Sequence, residues 1–335
     1  MDKELNFIMI QNNHVGVVVI GRNEGERLRK CLQSVKGLVK QSIYVDSGST
    51  DNSLSIAQEL DAVVVELDVR NPFTAARARN AGFKKLIELT PELEYVQFVD
   101  GDCEVVEGWI SHAVSYLNQE QDVAVTCGLR KERHPEHSIY NLMCDIEWDT
   151  PIGDAKSCGG DALYRIKAFS EVGGFRDDLI AGEEPELCVR LRQKQWRVWR
   201  LDRLMTLHDA AMKTFTQWWK RSVRGGYAYA EGAYLHGELP EKHWVRESRR
   251  IWVWALIIPF LIMLLSIIEP WCMLLFAIYP VQVLRLSKND KRLSTKERWV
   301  YATFLVIGKF SEFVGQVKFL INLIRGKRGA LIEYK

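Results

Sequence analysis

Val96-Gln-Phe-Val-Asp-Gly-Asp-Cys-Glu104 runs from an apolar stretch straight into two carboxylates. Tyr95, Val96, Phe98 and Val99 predict a buried strand. A run apolar on both faces belongs mostly to a parallel sheet covered by helices. Asp100 and Asp102, one residue apart at the strand's end, repel each other and lose hydration on burial, so they call for a cation between or beside them. Oxygen donors point to a hard ion, Mg²⁺ or Mn²⁺, with positions left open for phosphate oxygens. Asp-Gly-Asp is also ordinary turn composition, so the residues before it decide between the two readings.

Upstream, the pattern alternates strand and helix. Val15–Ile20 is a continuous apolar strand; beyond Gly21-Arg22-Asn23, the apolar residues Leu28, Cys31, Leu32 and Val35 fall on one helix face. Ser42–Val45 predicts a second strand, closed by Asp46 and followed by a helix capped by Ser49 or Thr50. Ala62–Leu67 predicts a third strand and Thr74–Leu89 a third helix with Ala75, Ala78, Gly82, Leu86 and Leu89 inward. Strands joined by helical crossovers are parallel, with right-handed connections, and ligands of such sheets bind at the strands' carboxyl ends. Asn23, Glu24, Asp46, Asp100 and Asp102 meet there, an arrangement suited to a nucleotide: Asp46 for a base N–H, Glu24 for ribose hydroxyls, the Asp pair for a metal on the diphosphate. The sequence after the first strand lacks the G-x-G-x-x-G of dinucleotide-binding folds, and no P-loop motif occurs.

Composition adds bounds. The 335 residues suggest about two domains. A formal net charge of +2 gives no basic excess that would argue for nucleic acid. Seven scattered cysteines without a CxxC pair read as reduced packing residues. The start, MDKELNFIMIQNN, is too polar for a secretory signal.

VVVIGRNEGERLRKCLQS, YVDSGSTDNS, ARNAGF and FVDGDCE, in this order and spacing, resemble the donor half of glycosyltransferase family 2, the inverting enzymes of GT-A fold. The resemblance runs from about Val15 to Tyr234. It implies an α/β, Rossmann-like, mostly parallel sheet. It further implies that Asn23, Glu24, Asp46 and Arg79 contact base, ribose or phosphate, Asp100 the ribose and metal, and Asp102 the metal.

The following segments then concern the acceptor. Cys158-Gly159-Gly160-Asp161 and Val172-Gly173-Gly174-Phe175 resemble family segments whose glycines let backbone approach the sugars closely, which makes Gly160 and Asp161 candidates for substrate binding. Gly182-Glu183-Glu184-Pro185-Glu186-Leu187 resembles the family's acidic catalytic motif, with Pro185 suited to the first helical position. Inverting transfer needs a carboxylate to take the acceptor hydroxyl's proton, and a helix N-terminus favours its ionised form. Glu184 is the expected base and Glu183 the alternative. Trp196–Leu201 predicts a strand. His208, just beyond, is a candidate third metal ligand or diphosphate contact, or a structural histidine. Gln217-Trp-Trp-Lys-Arg221 offers Arg221 to an anionic leaving group, or an aromatic-basic face to lipid headgroups.

The tail is apolar. Ile251–Ile268 is eighteen residues without a charge and Trp271–Leu284 a second uncharged run, each short for about 30 Å of hydrocarbon. Arg246, Arg249 and Arg250 precede the pair, and Arg285, Lys288, Lys291, Arg292, Lys296 and Arg298 follow it. Positive charge on both flanks predicts a helical hairpin, about 251–285, with both ends cytosolic. Trp299–Ile324, carrying Lys309, Glu312 and Lys318, predicts an amphipathic in-plane helix.

The expectation is a catalytic domain over 14–242 and a membrane-associated region over 246–335. The chain would move a sugar from a nucleoside-diphosphate donor to an acceptor hydroxyl, with inversion, at the cytosolic membrane face. Its acceptor would be a lipid-linked glycan or polysaccharide precursor. Two rivals are a polysaccharide synthase subunit and a non-catalytic, membrane-bound nucleotide-sugar binder.

Overall fold

The computed structural model describes residues 13–68, 70–71, 73–288, 292–327 and 329. The reading of the N-terminal MDKELNFIMIQN, and Lys291 of the basic flank, lie outside them.

The described chain divides into two compact units, meeting in sequence at Ala211 and Met212. In the first, strands β1 (Val15–Gly21), β2 (Gln41–Asp46), β3 (Val63–Glu66) and β4 (Tyr95–Asp100) form a parallel array in the order β3-β2-β1-β4. Val15, Val17, Val18, Val19, Val96, Phe98 and Val99 are buried, as a sheet with both faces covered requires. Beyond β4 the sheet is mixed. β8 (Ala162–Arg165) joins β4 antiparallel, followed by β6 (Val123–Glu132) and β9 (Arg197–His208); short β5 (Cys103–Val105) closes the edge, and β7 (Gly153–Asp154) pairs antiparallel with β9.

Helix α1 (Glu26–Val35) buries Leu28, Cys31, Leu32 and Val35, the face expected from the spacing. Helix α2 (Ser53–Glu59) starts after Asn52 rather than after Ser49 or Thr50, because both are engaged with the neighbouring loop. Ser49 Oγ accepts from Asn23 N–H (2.9 Å), and Thr50 N–H donates to Asn23 Oδ1 (2.7 Å). Helix α3 (Ala75–Leu89) is capped by Thr74 and buries Ala76, Ala78, Arg79, Gly82 and Leu86, while Leu89 is exposed. Helices α4 (Trp109–Gln119), α5 (Ile139–Trp148), α6 (Ile166–Glu171) and α7 (Glu183–Gln193) complete the unit.

β9 is longer than the strand expected over 196–201. It continues to His208, pairing with β6 through register shifts and with β5 at its end. Such irregularities let a strand bend and re-aim its side chains.

The second unit is helical: α8 (Phe215–His236), a continuous helix α9 (Val245–Ile268), a 3₁₀ segment Pro270–Ala277, α10 (Ile278–Leu286) and α11 (Thr295–Ile324). The boundary expected near 242 therefore falls inside this unit, because α8 packs along α11. A Cβ on Gly226 would overlap the Glu312 backbone, and one on Gly315 the Val223 carbonyl, so these glycines let two backbones touch. Helix α11, expected in plane, uses Ala302, Val306, Gly308, Ser311, Gly315, Gln316 and Phe319 as a buried face. Among the described residues one helix, α9, is long and apolar enough to cross a membrane; Pro270–Leu286 is apolar but shorter.

Candidate active site

Register brings the acids together. Gly21 pairs with Asp46 and Ile20 with Asp100, so the carboxyl ends of β1, β2 and β4 stand side by side. The β1 and β2 loops are knitted to each other. Asp46 is buried; its Oδ1 accepts from Tyr44 Oη (3.0 Å) and its Oδ2 from Gly48 and Ser49 N–H (2.8 Å each). Asn23 sits at φ 57°, and Glu24 faces Arg27 at 2.7 Å.

Arg79 spans two acids. One amino group meets Asp100 Oδ1 and the other Glu183 Oε1, both at 2.7 Å, and the side chain is 3% exposed. Burial works to raise the Asp100 carboxyl, but the Arg79 and Arg130 guanidiniums outweigh it and hold the group below the usual carboxylate range. Gly160 packs against this pair: a Cβ there would stand 2.6 Å from an Arg79 nitrogen and 3.0 Å from Asp100 Oδ2. Asp161 is fully buried. It accepts from Asp100 N–H (2.9 Å) and Thr206 Oγ1 (3.0 Å), and forms an ion pair with Arg130 at 2.8 Å. Gly160 thus lies against the Asp100 carboxylate, while Asp161 is a buried brace on the Asp100 backbone.

Asp102 approaches the end of β9. Its Oδ1 lies 3.4 Å from His208 Nε2, while His208 Nδ1 faces Glu132 Oε2 at 3.5 Å. Glu132 is itself held by Ala210 N–H (3.0 Å), His134 N–H (3.1 Å) and Asn141 Nδ2 (3.2 Å). The Trp148 and His208 rings meet T-shaped, with centroids 4.6 Å apart. A histidine whose far nitrogen is engaged by a carboxylate has its near nitrogen oriented for a ligand. Asp102 and His208, with the buried Cys103 thiol beside them, bring their ligand atoms within 4.8 Å of one another, and the carboxylate and imidazole of this group fit a divalent ion such as Mn²⁺ or Mg²⁺.

The helix α7 start divides its acids. Gly182 at φ 78° is the cap, which places Glu183, Glu184 and Pro185 at the first, second and third helical positions. Pro185 is third rather than first, and tolerable because no i−4 bond is due there. Glu183 turns to Arg79. Glu184 is 5% exposed; its Oε1 accepts from Cys158 N–H (2.5 Å) and lies 3.0 Å from Cys188 Sγ. Burial first, and the Glu184 charge after it, push the Cys188 thiol up to about 11 despite a lowering contact from Cys158, so it is a neutral S–H donor at pH 7.

Of the sequence candidates, Asn23, Glu24, Asp46, Arg79, Asp100, Asp102, Gly160, Asp161, Glu183, Glu184 and His208 all belong to the first unit, whereas Arg221 lies on α8 in the second. Arg130, Glu132 and Cys188 escaped the sequence reading. Arg130 and Glu132 alternate along β6 where its apolar run turns polar, so they share a face, a signal present in LRKE.

Among solved structures, the mannosyltransferase PcManGT of Pyrobaculum calidifontis, in complex with GDP-Man and Mn²⁺, matches with a TM-score of 0.64 over 92% of this chain and 87% of its own, at 17% identity. The fold is that of the GT-A glycosyltransferases. Residues 16–172, just under half of the chain, match the model of Glycosyl transferase family 2. The chain is 26% identical over 208 residues to the succinoglycan biosynthesis protein ExoA of Rhizobium meliloti. It is 33% identical over 138 residues to a TPR repeat-containing protein of Synechococcus elongatus. The matches cover 58% and 41% of this chain, but only 61% and 32% of those relatives' lengths.

Proposed function

We propose that this chain transfers a sugar from a nucleoside-diphosphate sugar to an acceptor hydroxyl, with inversion, in a metal-dependent reaction. One observation carries the reading: Arg79 ties the Asp100 end of the carboxylate pair to the acidic start of α7, at 2.7 Å on each side. A donor-side acid cluster and an acceptor-side base are thereby held in one rigid frame.

Asp100, Asp102 and His208 would hold Mg²⁺ or Mn²⁺, which when bound supplies positive charge to the diphosphate leaving group. Asn23, Glu24 and Asp46 would border the nucleoside, with Arg79 keeping Asp100 ionised. Glu184 would take the proton of the acceptor hydroxyl as its oxygen bonds to the anomeric carbon. The bond from that carbon to the diphosphate oxygen breaks on the opposite face, and the nucleoside diphosphate leaves with the electron pair. Cys158 N–H and Cys188 S–H aim the Glu184 carboxylate. Asp161 would act through Asp100, while Gly160 leaves room for the Arg79–Asp100 pair beside a bound sugar. Arg221 would serve the leaving group or a lipid surface.

The apolar α9 and the basic residues at its start support attachment to a membrane, with the catalytic domain on the cytosolic side. A lipid-linked glycan or polysaccharide precursor is the acceptor class that suits such a chain. The relative ExoA is named a succinoglycan biosynthesis protein.

The test is release of nucleoside diphosphate from a panel of nucleotide sugars, with Mn²⁺ or Mg²⁺ and after chelation. Activity with one donor, abolished by EDTA and by Asp102→Asn, is expected. Turnover undiminished in EDTA would sink the metal assignment. No hydrolysis or transfer with any donor, alongside tight nucleotide binding, would favour a binder.

A further inference from the structure

Within the second unit, Lys242, Val245, Arg246, Arg249, Arg250, Val253 and Trp254 line a cavity of about 340 Å³. Its position along the chain is informative. Arg246, Arg249, Arg250 and Val253 recur at helical spacing on one face of α9, and from Ile251 onward the helix carries no charge as far as Ile268. The groove therefore straddles the point where α9 changes from basic to apolar.

Four cations share this groove. Among the described residues, none of their side chains has an ion-pair or hydrogen-bond partner. Like charges brought together without counter-charge repel, and an anion among them relieves that repulsion. The rest of the lining is apolar: Val245, Val253, Trp254 and the aliphatic stems of the arginines. A free phosphate would satisfy the cations and leave that wall facing water. A nucleic acid would do the same over a longer surface. An amphipath with an anionic head answers both halves. Downstream, Phe260 (60% exposed), Met263 (61%) and Ile267 (81%) continue the apolar surface along α9, and the position of Trp254 at the transition is where membrane helices place aromatic anchors.

We propose that this groove binds the phosphate headgroup of an anionic phospholipid between Lys242, Arg246, Arg249 and Arg250, with the lipid's chain along Val253 and Trp254. The inference rests on the membrane reading above and adds a lipid-selective site to it. Each basic side chain at an anionic surface adds attraction, so the four around one headgroup should favour an anionic over a zwitterionic lipid by at least about tenfold.

The experiment uses the full chain purified in a neutral detergent, with phosphatidylglycerol and phosphatidylcholine at equal concentration, and native mass spectrometry to count adducts. A single phosphatidylglycerol adduct, about tenfold preferred, is expected, and millimolar inorganic phosphate should not displace it. The double variant Arg249→Gln/Arg250→Gln should bring the two lipids within about twofold. Lys288→Gln, an exposed cation outside the groove, should leave the preference intact. Melting curves check that the variants fold, and the single variant Arg249→Gln, with a partial loss expected, replaces the double one should that unfold. Equal binding of the two lipids, an unchanged preference in the variants, or displacement by phosphate overturns the proposal. Carbonate washing of cell membranes separates the two levels. A chain washed into the supernatant defeats the membrane reading and this site with it. A chain that stays embedded but shows no lipid preference defeats the site alone.

Discussion

Glu183 and Glu184 are adjacent, yet about 100° of helix rotation separates them and each finds a different partner. Glu184→Gln keeps the shape and removes the proton acceptor, so turnover should fall by about 10²–10⁴ while donor affinity holds. Glu183→Gln weakens a buried ion pair; it should lower stability by about 1–3 kcal/mol and turnover by less than tenfold. Turnover and nucleoside-diphosphate affinity of both variants decide the assignment, and a dead Glu183→Gln beside an active Glu184→Gln would move the base by one residue. Cys188 offers a second check. Cys188→Ala removes a donor aimed at Glu184 and should cut kcat about tenfold with the donor KM unchanged, a loss of about 1.4 kcal/mol for one hydrogen bond to a charged group. Cys188→Ser should restore most of it, whereas equal losses in Ala and Ser would make the cysteine mere packing. The acids themselves were legible because motif and spacing name them. Their partners were not: Arg79 lies 104 residues from Glu183, and Cys158 lies 26 from Glu184. Only the fold, which sets α3 and the loop before β8 against α7, brings them into contact.

Elements were legible where a single period governs them, as in β1, α1 and β4. Legibility failed where pairing overrides local pattern. β9 runs on to His208 because β5 and β6 supply partners for residues that look like a loop in isolation. Gly225-Gly226 in α8 is another such place, since sequence cannot say which glycine faces a neighbour. A Cβ at Gly225 would meet nothing within 4 Å, whereas one at Gly226 would collide with the Glu312 backbone. Ala is the better helix former by about 1 kcal/mol. Gly225→Ala should therefore raise stability by up to about that amount, and Gly226→Ala should lower it by about 1–3 kcal/mol through overpacking. Thermal unfolding in detergent reads both, and two variants of the same sign would mean that helix propensity rather than the α8–α11 seam governs this site.

At the scale of the molecule, charge pattern and packing place the boundary between the units differently. Charge and hydropathy put the boundary near Lys242, just ahead of the uncharged run. Packing puts it at Ala211, because Trp218, Val223, Tyr227 and Ala228 of α8 are buried in the second unit. Tyr227, for one, meets the Phe319 ring of α11 edge-on at 5.4 Å. A fragment ending at Lys242 keeps α8 and loses α11, so these side chains turn to water. At about 25 cal/mol per Å² of apolar surface, exposing even two such aromatic faces costs several kcal/mol, and aggregation is the ordinary outcome. A fragment ending at Ala211 retains the whole nine-stranded sheet, with the Asp100, Asp102, His208 and Glu184 groups inside it. The shorter fragment should accordingly be monomeric without detergent, show a cooperative thermal transition by circular dichroism, and bind nucleoside diphosphate with Mn²⁺. The longer one should need detergent to stay dispersed. Size-exclusion chromatography of the two side by side reads the difference. A soluble, cooperatively folding 242 fragment beside an aggregated 211 fragment would show that α8 belongs to the catalytic unit and that the charge pattern, not the glycine seam, marks the boundary.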